Sequence, residues 1–449
     1  MLCIKDTLSQ QKKTFISQNN DKVRMYVCGI TPYSDAHLGH GRVYVSFDIV
    51  YRMLRFLGYD VIYCRNITDI DDKLLDRSRT ETGSIHAYQM IAERYTKRFH
   101  EAVARLGCLS PTYEPKVTDS IPYIVSFIER LVASDKAYIA DNGDVYFRIE
   151  RFISYGALSK QKKEELVAGA RIEINAYKEN PLDFALWKCD DNELFWQSPW
   201  GRGRPGWHIE CSAMAAHYLG EHIDIHGGGK DLIFPHHENE RAQSESLFGE
   251  PFVHYWMHNG LIRVDQTKMS KSLGNFVTLQ ELFDTYDPML VRYYFFAHHY
   301  RAPLEFSYSH LDTFRKSFDR LYASLYTHND DPVSMEEMKA SPLVKKLVHW
   351  LSDDFNTPAM LGELFSSLSQ LHIHGRERAI VKQWLTEVIG FLPSEKTNEK
   401  KATVMTDEIK ALMAAREQAR KLKQWELADS LRDKLQALGV TVHDLKAGE

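Results

Sequence analysis

From Val23 to Cys28 apolar residues alternate with polar or aromatic ones and stop at Gly29, which predicts a β-strand. At Val43 the period changes. Val43, Phe47, Val50, Leu54 and Leu57 recur at helical spacing, and Gly58 suits the helix C-terminal cap. Val61-Ile62-Tyr63-Cys64 then reads as a second, buried strand. Strand, helix and strand make a βαβ unit, so the chain is expected to open with a doubly wound parallel sheet. Between Glu114 and Pro199 helical segments alternate with short strands such as Asp144-Val145-Tyr146-Phe147. Pro199 to Gly206 reads as a loop by its Gly and Pro content, one rich in Trp and Arg. α/β character resumes until about Tyr308, after which helices dominate. Leu311, Phe314, Phe318, Leu321 and Leu325 keep three-four spacing behind Ser309 as N-cap. Thr357-Pro358 opens a further helix with Leu361, Leu364, Leu368 and Leu371 on one face. Pro393 to Thr406 is polar and rich in Lys and Glu, as a linker is. The remainder reads as a helical hairpin followed by Gly439 and a short strand, Val440-Thr441-Val442.

A chain of 449 residues at about 150 per domain implies about three domains. The apolar fraction of 44% and charged fraction of 26% are those of a globular protein, which excludes disorder and fibrous repeats. No apolar run approaches the ~18 residues of a membrane span. The opening, Met1-Leu2-Cys3-Ile4-Lys5-Asp6, lacks the basic-then-apolar form of a secretory signal. Six scattered cysteines argue against a disulfide framework and for a reducing cytosol, so a cytoplasmic protein is expected. The net charge of −5 excludes blanket nucleic-acid binders but leaves room for local basic patches.

Three constellations carry chemistry. His37-Leu38-Gly39-His40 falls between the first strand and the helix, where unpaired N–H groups and two imidazoles can hold phosphates and Gly39 admits a nucleotide. A surface turn with two incidental histidines fits the same four residues. Lys268-Met269-Ser270-Lys271-Ser272 sets two lysines three apart among small residues, a cationic loop suited to polyphosphate or simply a solvated turn. His236 and Glu240, four apart, point to one side of a helix. With Cys28 at a strand end and Cys211 in a second α/β segment, they form an acceptable zinc set if the fold converges them. Buried cysteines are equally common as plain core residues. His237-Glu238-Asn239-Glu240-Arg241 has Arg241 where a zinc hydrolase needs a second histidine, so that reading fails. Thr68-Asp69-Ile70-Asp71-Asp72 lacks the glycine and closing glutamate of a calcium loop.

The two signatures in this order resemble those of class I aminoacyl-tRNA synthetases. Further stretches narrow the resemblance to the cysteinyl-tRNA synthetases: Met25 to Gly29, Thr68 to Lys73, Gly206 to Met214, His226 to Gly229, Phe234 to Glu240 and Asp353 to Pro358. The resemblance runs over nearly the whole chain. It implies a Rossmann-type catalytic domain over 1–115 and 200–250, split by a connective insertion over 116–199. A stem-contact region with the lysine loop follows over 251–308, then an α-helical bundle over 309–395 and a small mixed α/β anticodon-binding domain over 401–449. It implies His37, His40, Lys268 and Lys271 as catalytic residues. ATP would be bound by these four with Gly39, Gly228, Asp231 and Ser270, and accompanied by Mg²⁺. One Zn²⁺ per chain would be held by Cys28, Cys211, His236 and Glu240. Gly29, Thr68, Trp207 and His226 would line the cysteine pocket, with His237 packed nearby rather than acting as a fifth ligand. Zinc suits a site that must tell a thiol from serine and alanine, which an apolar pocket does poorly. The implied partners are ATP, L-cysteine and the cysteine tRNA, with no membrane and a monomeric chain.

Two departures stand out: Leu38 replaces the commoner Ile. The chain also ends at Lys446-Ala447-Gly448-Glu449 rather than in an acidic tail closing on Trp and basic residues. In the last segment Arg416, Arg420 and Lys423 form a basic stripe at i, i+4 and i+7, with Trp425 following as a stacking surface for a base. That stripe reads as tRNA-binding or as an ordinary solvated face. A cysteine ligase of mycothiol synthesis, which uses an amino-sugar acceptor, and a non-catalytic tRNA-binding paralogue are the alternatives.

Overall fold

The computed structural model describes residues 1–162, 176–192, 194–249, 251–264, 267–268, 276–326 and 330–391, with single positions between 412 and 434. Strands β1 (Cys3–Lys5) and β2 (Lys12–Thr14) form an antiparallel pair. The βαβ unit follows as β3 (Lys22–Ile30), α1 (Leu38–Leu57) and β4 (Asp60–Ile67), its strands parallel. Side chains of β3 alternate between two cores. Val23, Met25 and Val27 pack with Phe47, Val50 and Leu54 of α1, whereas Tyr26 and Cys28 join a cluster with Ile209, Cys211 and Trp256. A strand buried on both faces in this way is the mark of a doubly wound sheet.

α1 begins earlier than the periodicity indicates. Gly39 and Gly41 are weak helix formers, so the pattern becomes legible only at Val43, yet His37 caps the helix and Leu38 to His40 form its first turn.

Helices α2 (Asp72–Thr82), α3 (Tyr88–Arg105) and α4 (Val117–Ala133) lead to β5 (Ala137–Ile139), β6 (Val145–Phe147), β7 (Phe184–Cys189) and β8 (Gly203–Pro205). These four strands make an antiparallel sheet in the order β5-β6-β7-β8. β8 corrects the expectation of a loop from Pro199 to Gly206. It lies at the sheet edge, where the missing N–H of Pro205 costs no ladder bond.

α5 (Trp207–Tyr218), β9 (Ile223–Gly229), α6 (Glu238–Phe248) and β10 (Val253–Asn259) return the chain to the main sheet. Its order is β10-β9-β3-β4, all parallel. The chain leaves β3 to one side for β4 and later comes back to the other side for β9. The carboxyl edge between β3 and β9 is therefore a topological switch point, where such sheets bind ligands. β11 (Ile262–Val264), β12 (Thr267–Lys268) and β13 (Leu304–Phe306) form a small mixed sheet, with α7 (Leu279–Thr285) and α8 (Pro288–Phe296) lying between β12 and β13 in the chain.

Five helices follow: α9 (Tyr308–Leu325), α10 (Met335–Ala340), α11 (Pro342–Leu351), α12 (Thr357–Ile373) and α13 (Gly375–Trp384). The cap of α9 is Ser307, not Ser309: its hydroxyl accepts the His310 N–H at 3.1 Å. Both serines are good caps, and the strand ending at Phe306 decides between them.

Residues 393–449 form a separate compact unit, in which Ala419, Ala428 and Leu431 are buried together. The expected strand at Val440 to Val442 lies outside the described residues. No described helix is long and apolar enough to cross a membrane.

A buried ionic cluster ties α1 to α8. Asp48 accepts from Arg52 Nε at 2.8 Å, from Arg292 Nη2 at 2.5 Å and from the Leu109 N–H at 2.8 Å. The Arg292 guanidinium also reaches the carbonyls of Ile389 and Leu106. Removing the anion alone strands two buried cations. Asp48→Ala should therefore cost about 3–5 kcal/mol in urea unfolding, against less than about 1 kcal/mol for Asp76→Ala at the exposed Arg79–Asp76 pair.

Candidate metal centre and nucleotide cleft

A cavity of ≈ 540 Å³ opens at the switch point. Cys28, Gly29, His37, Gly39, His40 and Thr68 line it, as do Trp207, Cys211, Gly228, Asp231 and His236. Trp207 is 43% exposed and its ring centroid lies 4.3 Å from that of His236, so it is a wall of the cavity and not a core aromatic.

β3 prepares the site by a bulge. Its register with β4 shifts between Val27 and Ile30, placing one extra residue in β3 at Cys28-Gly29. Gly29 passes so close to β4 that a Cβ there would meet the Asn66 carbonyl oxygen at 1.5 Å.

Among the described residues Cys28, Cys211, His236 and Glu240 each offer one ligand atom, all within 4.8 Å of one another and all buried. Cys28 Sγ lies 4.0 Å from Cys211 Sγ and 3.6 Å from Glu240 Oε1, and His236 Nε2 is 3.2 Å from the same oxygen. His236 lies in a short turn over Ile233–His237 that runs into α6, which delivers Glu240. His208 Nδ1 contacts His236 Nδ1 at 2.9 Å, leaving Nε2 for the cluster. Burial pushes the Cys28 thiol well up and the imidazoles of His236 and His237 well below their usual range. Two thiols, a neutral imidazole and a carboxylate gathered away from water are costly to hold without a cation, and this donor set fits a tetrahedral metal.

A second group, Cys28, His226, His237 and Glu240, satisfies the same distance limit. His226 Nε2 meets Glu240 Oε2 at 2.9 Å, and His237 bridges from Cys28 Sγ (3.3 Å) to His258 Nε2 (2.8 Å). His226 is fully buried behind Glu240 and is not among the residues that line the cavity, whereas Gly29, Thr68 and Trp207 are.

His37 and His40 form a reciprocal cap. His37 Nδ1 accepts the His40 N–H at 3.2 Å, and His40 Nδ1 accepts the His37 N–H at 3.3 Å, with the rings stacked 3.6 Å apart. An accepting Nδ1 in a neutral imidazole puts the proton on Nε2, so each ring carries a donor at the start of α1.

The backbone of Lys268 pairs with Arg263 across β12 and β11, whereas Ser270 and Lys271 lie outside the described residues. Where the described chain resumes it is tied to the histidine turn: the Leu38 N–H donates to Val277 O and the Leu279 N–H to Ala36 O. On the other flank Arg42, fully buried, donates to Gly260 O at 2.9 Å and Leu261 O at 3.2 Å, just ahead of β11. Arg416, Arg420, Lys423 and Trp425 also lie outside the described residues.

Sequence reasoning missed Asn66, Glu210, His208 and His258. Asn66 had a legible signal, since a buried asparagine is out of place in a strand; the others show their roles only in the folded chain.

The family described as tRNA synthetases class I (C) catalytic domain matches residues 14–316, and that described as Cysteinyl-tRNA ligase anticodon binding domain matches residues 403–448. A cysteine–tRNA ligase of Methylobacillus flagellatus is 46% identical over 454 residues, covering 100% of this chain and 99% of the relative. One of Nitrosomonas eutropha is 44% identical over 463 residues, covering 99% and 98%. The solved structure of Mycobacterium tuberculosis methionyl-tRNA synthetase with methionyl-adenylate shares the fold, with a TM-score of 0.57 at 14% identity over 82% of this chain and 89% of that one.

Proposed function

The chain belongs to the cysteine–tRNA ligases among the class I aminoacyl-tRNA synthetases, and from that premise we propose that it attaches L-cysteine to the cysteine tRNA through a cysteinyl-adenylate. The cysteine carboxylate attacks the α-phosphorus of ATP and pyrophosphate leaves. The terminal ribose hydroxyl of the tRNA then attacks the adenylate carbonyl, releasing AMP. No protein nucleophile takes part: positioning and charge stabilisation carry the reaction.

The observation that carries this reading is one cavity lined both by three of the four donors, Cys28, Cys211 and His236, and by the two histidines at the start of α1. His37 and His40 would donate Nε2–H to the phosphates at the positive end of α1, with Gly39, Gly228 and Asp231 around the nucleotide. Lys268 and Lys271, with Ser270, would neutralise the departing pyrophosphate. Mg²⁺ would accompany ATP. Cys28, Cys211, His236 and Glu240 would hold one Zn²⁺, because Cys28, Cys211 and His236 line the cavity whereas His226 and His237 do not. Zinc there would supply a ligand position for the substrate thiolate, which would separate cysteine from serine and alanine by bond type. Gly29, Thr68 and Trp207 would contact the rest of the amino acid, and His226 would hold Glu240 from behind.

We divide the chain into the split catalytic domain (1–115 and 200–250), the insertion (116–199), the stem-contact region (251–308), the bundle (309–395) and the anticodon-binding domain (401–449). The separate unit from residue 393 and the family match at 403–448 support the last of these. They also favour tRNA over an amino-sugar acceptor. The chain would act as a monomer in the cytoplasm, in keeping with six free cysteines.

ATP–pyrophosphate exchange against a panel of amino acids should respond to cysteine alone, with about one zinc per chain by elemental analysis. Cys211→Ser should lower zinc content and raise the cysteine KM by on the order of a hundredfold, with the ATP KM within about twofold. A zinc-free variant that still rejects serine would contradict the assignment.

For the tRNA, neutralising Arg416 and Arg420 should leave exchange intact and weaken tRNA binding. The slope of log K against log salt should fall by about one for each lost phosphate contact. Unchanged tRNA charging would remove that stripe from the interface.

A further inference from the structure

The turn between α11 and α12 holds a buried carboxylate, Asp354, that takes no part in the reaction described above. Asp354 and Phe355 both adopt left-handed backbone, with φ of 59° and 53°. That conformation is costly for a residue with a side chain and persists only where the surroundings impose it. The Asp354 N–H donates to Cys3 O at 2.9 Å and the Cys3 N–H to Ser352 O at 2.8 Å, so β1 is pinned along the turn. Asp354 Oδ1 accepts the Lys5 N–H at 2.9 Å and the Tyr300 hydroxyl at 2.8 Å. Oδ2 accepts Arg301 Nε at 2.6 Å and also meets Arg301 Nη2. A backbone N–H and a guanidinium can only donate, so both oxygens of Asp354 are acceptors here.

Tyr300 and Arg301 belong to the segment 299–302, whose backbone packs on Gly260. The Gly260 N–H donates to Tyr300 O at 2.8 Å, and a Cβ on Gly260 would meet Ala302 O at 2.2 Å. Arg42 of α1 grips the same place from within. One of its nitrogens reaches the carbonyls of Gly260 and Leu261, the other those of His299, Tyr300 and Ala302. The segment is thus held twice, by Arg42 on one helix and by Asp354 in the turn between two others. What it supports is a wall of the cavity, since Gly260, Leu261 and Ile262 all line it. Ile262 packs in the same core as Leu38, whereas Cys28 and Cys211 belong to the other core. That wall therefore goes with the histidine turn and not with the metal centre. Building on the ATP reading of that turn, we infer that Asp354 is a positioning residue for the nucleotide. Through Tyr300 and Arg301 it seats the segment 299–302, and with it the wall at 260–262, at the spacing from the histidine turn that ATP requires.

The test measures the ATP KM and the cysteine KM of the full chain by ATP–pyrophosphate exchange, together with its Tm. Asp354→Asn keeps the size of the side chain but, whichever way its amide turns, sets an N–H₂ group against a donor. It should raise the ATP KM about tenfold by displacing the wall, and leave the cysteine KM within about twofold. Tyr300→Phe removes one hydroxyl and should raise the ATP KM about threefold, with the double variant no worse than Asp354→Asn alone, because both changes break one link. Asp353→Asn, at the exposed Lys12–Asp353 pair next door, should match the wild type in all three measurements. A purely structural role moves different quantities: Tm and the number of active molecules fall, while both KM values stay those of the wild type. That result would overturn the inference, as would an equal rise in both KM values. If Asp354→Asn fails to fold, Tyr300→Phe decides alone, and an ATP KM unchanged from the wild type would then overturn it. Absence of cysteine-dependent exchange in the wild-type chain would instead overturn the activation reading, and this inference with it.

Discussion

Four metal-type donors held out of water at one point are the constraint on which the rest of the site depends. Two thiols, an imidazole and a carboxylate lie within 4.8 Å of one another, each fully or almost fully buried. Protein interiors tolerate such groups only when something compensates their lost hydration. Hydrogen bonds compensate part: His208 holds His236, and His226 holds Glu240. The donor set is suited to a cation, which would compensate the remainder. The parallel sheet supplies the rigidity this needs, since Cys28 comes from its central strand and Cys211 and Glu240 from helices packed against it.

The same edge of the sheet serves the nucleotide side. The reciprocal bonds of His37 and His40 use both Nδ1 atoms, so the histidine turn is set before any phosphate arrives. Preorganised donors of this kind need no rearrangement as charge develops. Arg42 and the Leu38–Val277 and Leu279–Ala36 bonds join that turn to the chain on both flanks of the lysine segment. The histidine turn is thus tied to the described chain on both sides of the lysine segment.

Local chemistry was legible from the residues and long-range assembly was not. The i, i+4 spacing of His236 and Glu240, the strand that ends near Cys28 and the glycine cap at Gly58 follow from short-range rules. That Cys211 meets Cys28 depends on the strand order β9-β3-β4, which no local pattern encodes. Pro205 in an edge strand and Ser307 as the cap of α9 were misread for a related reason: a neighbouring strand, not local preference, settles each.

The central claim is that the metal reads the substrate by its sulfur. X-ray absorption at the zinc edge of the full chain, with and without L-cysteine, addresses it most directly. Two sulfur ligands should be counted in the free protein, from Cys28 and Cys211, and three with cysteine, while serine leaves the count at two. A spectrum that stays at two sulfurs with cysteine bound would contradict the account.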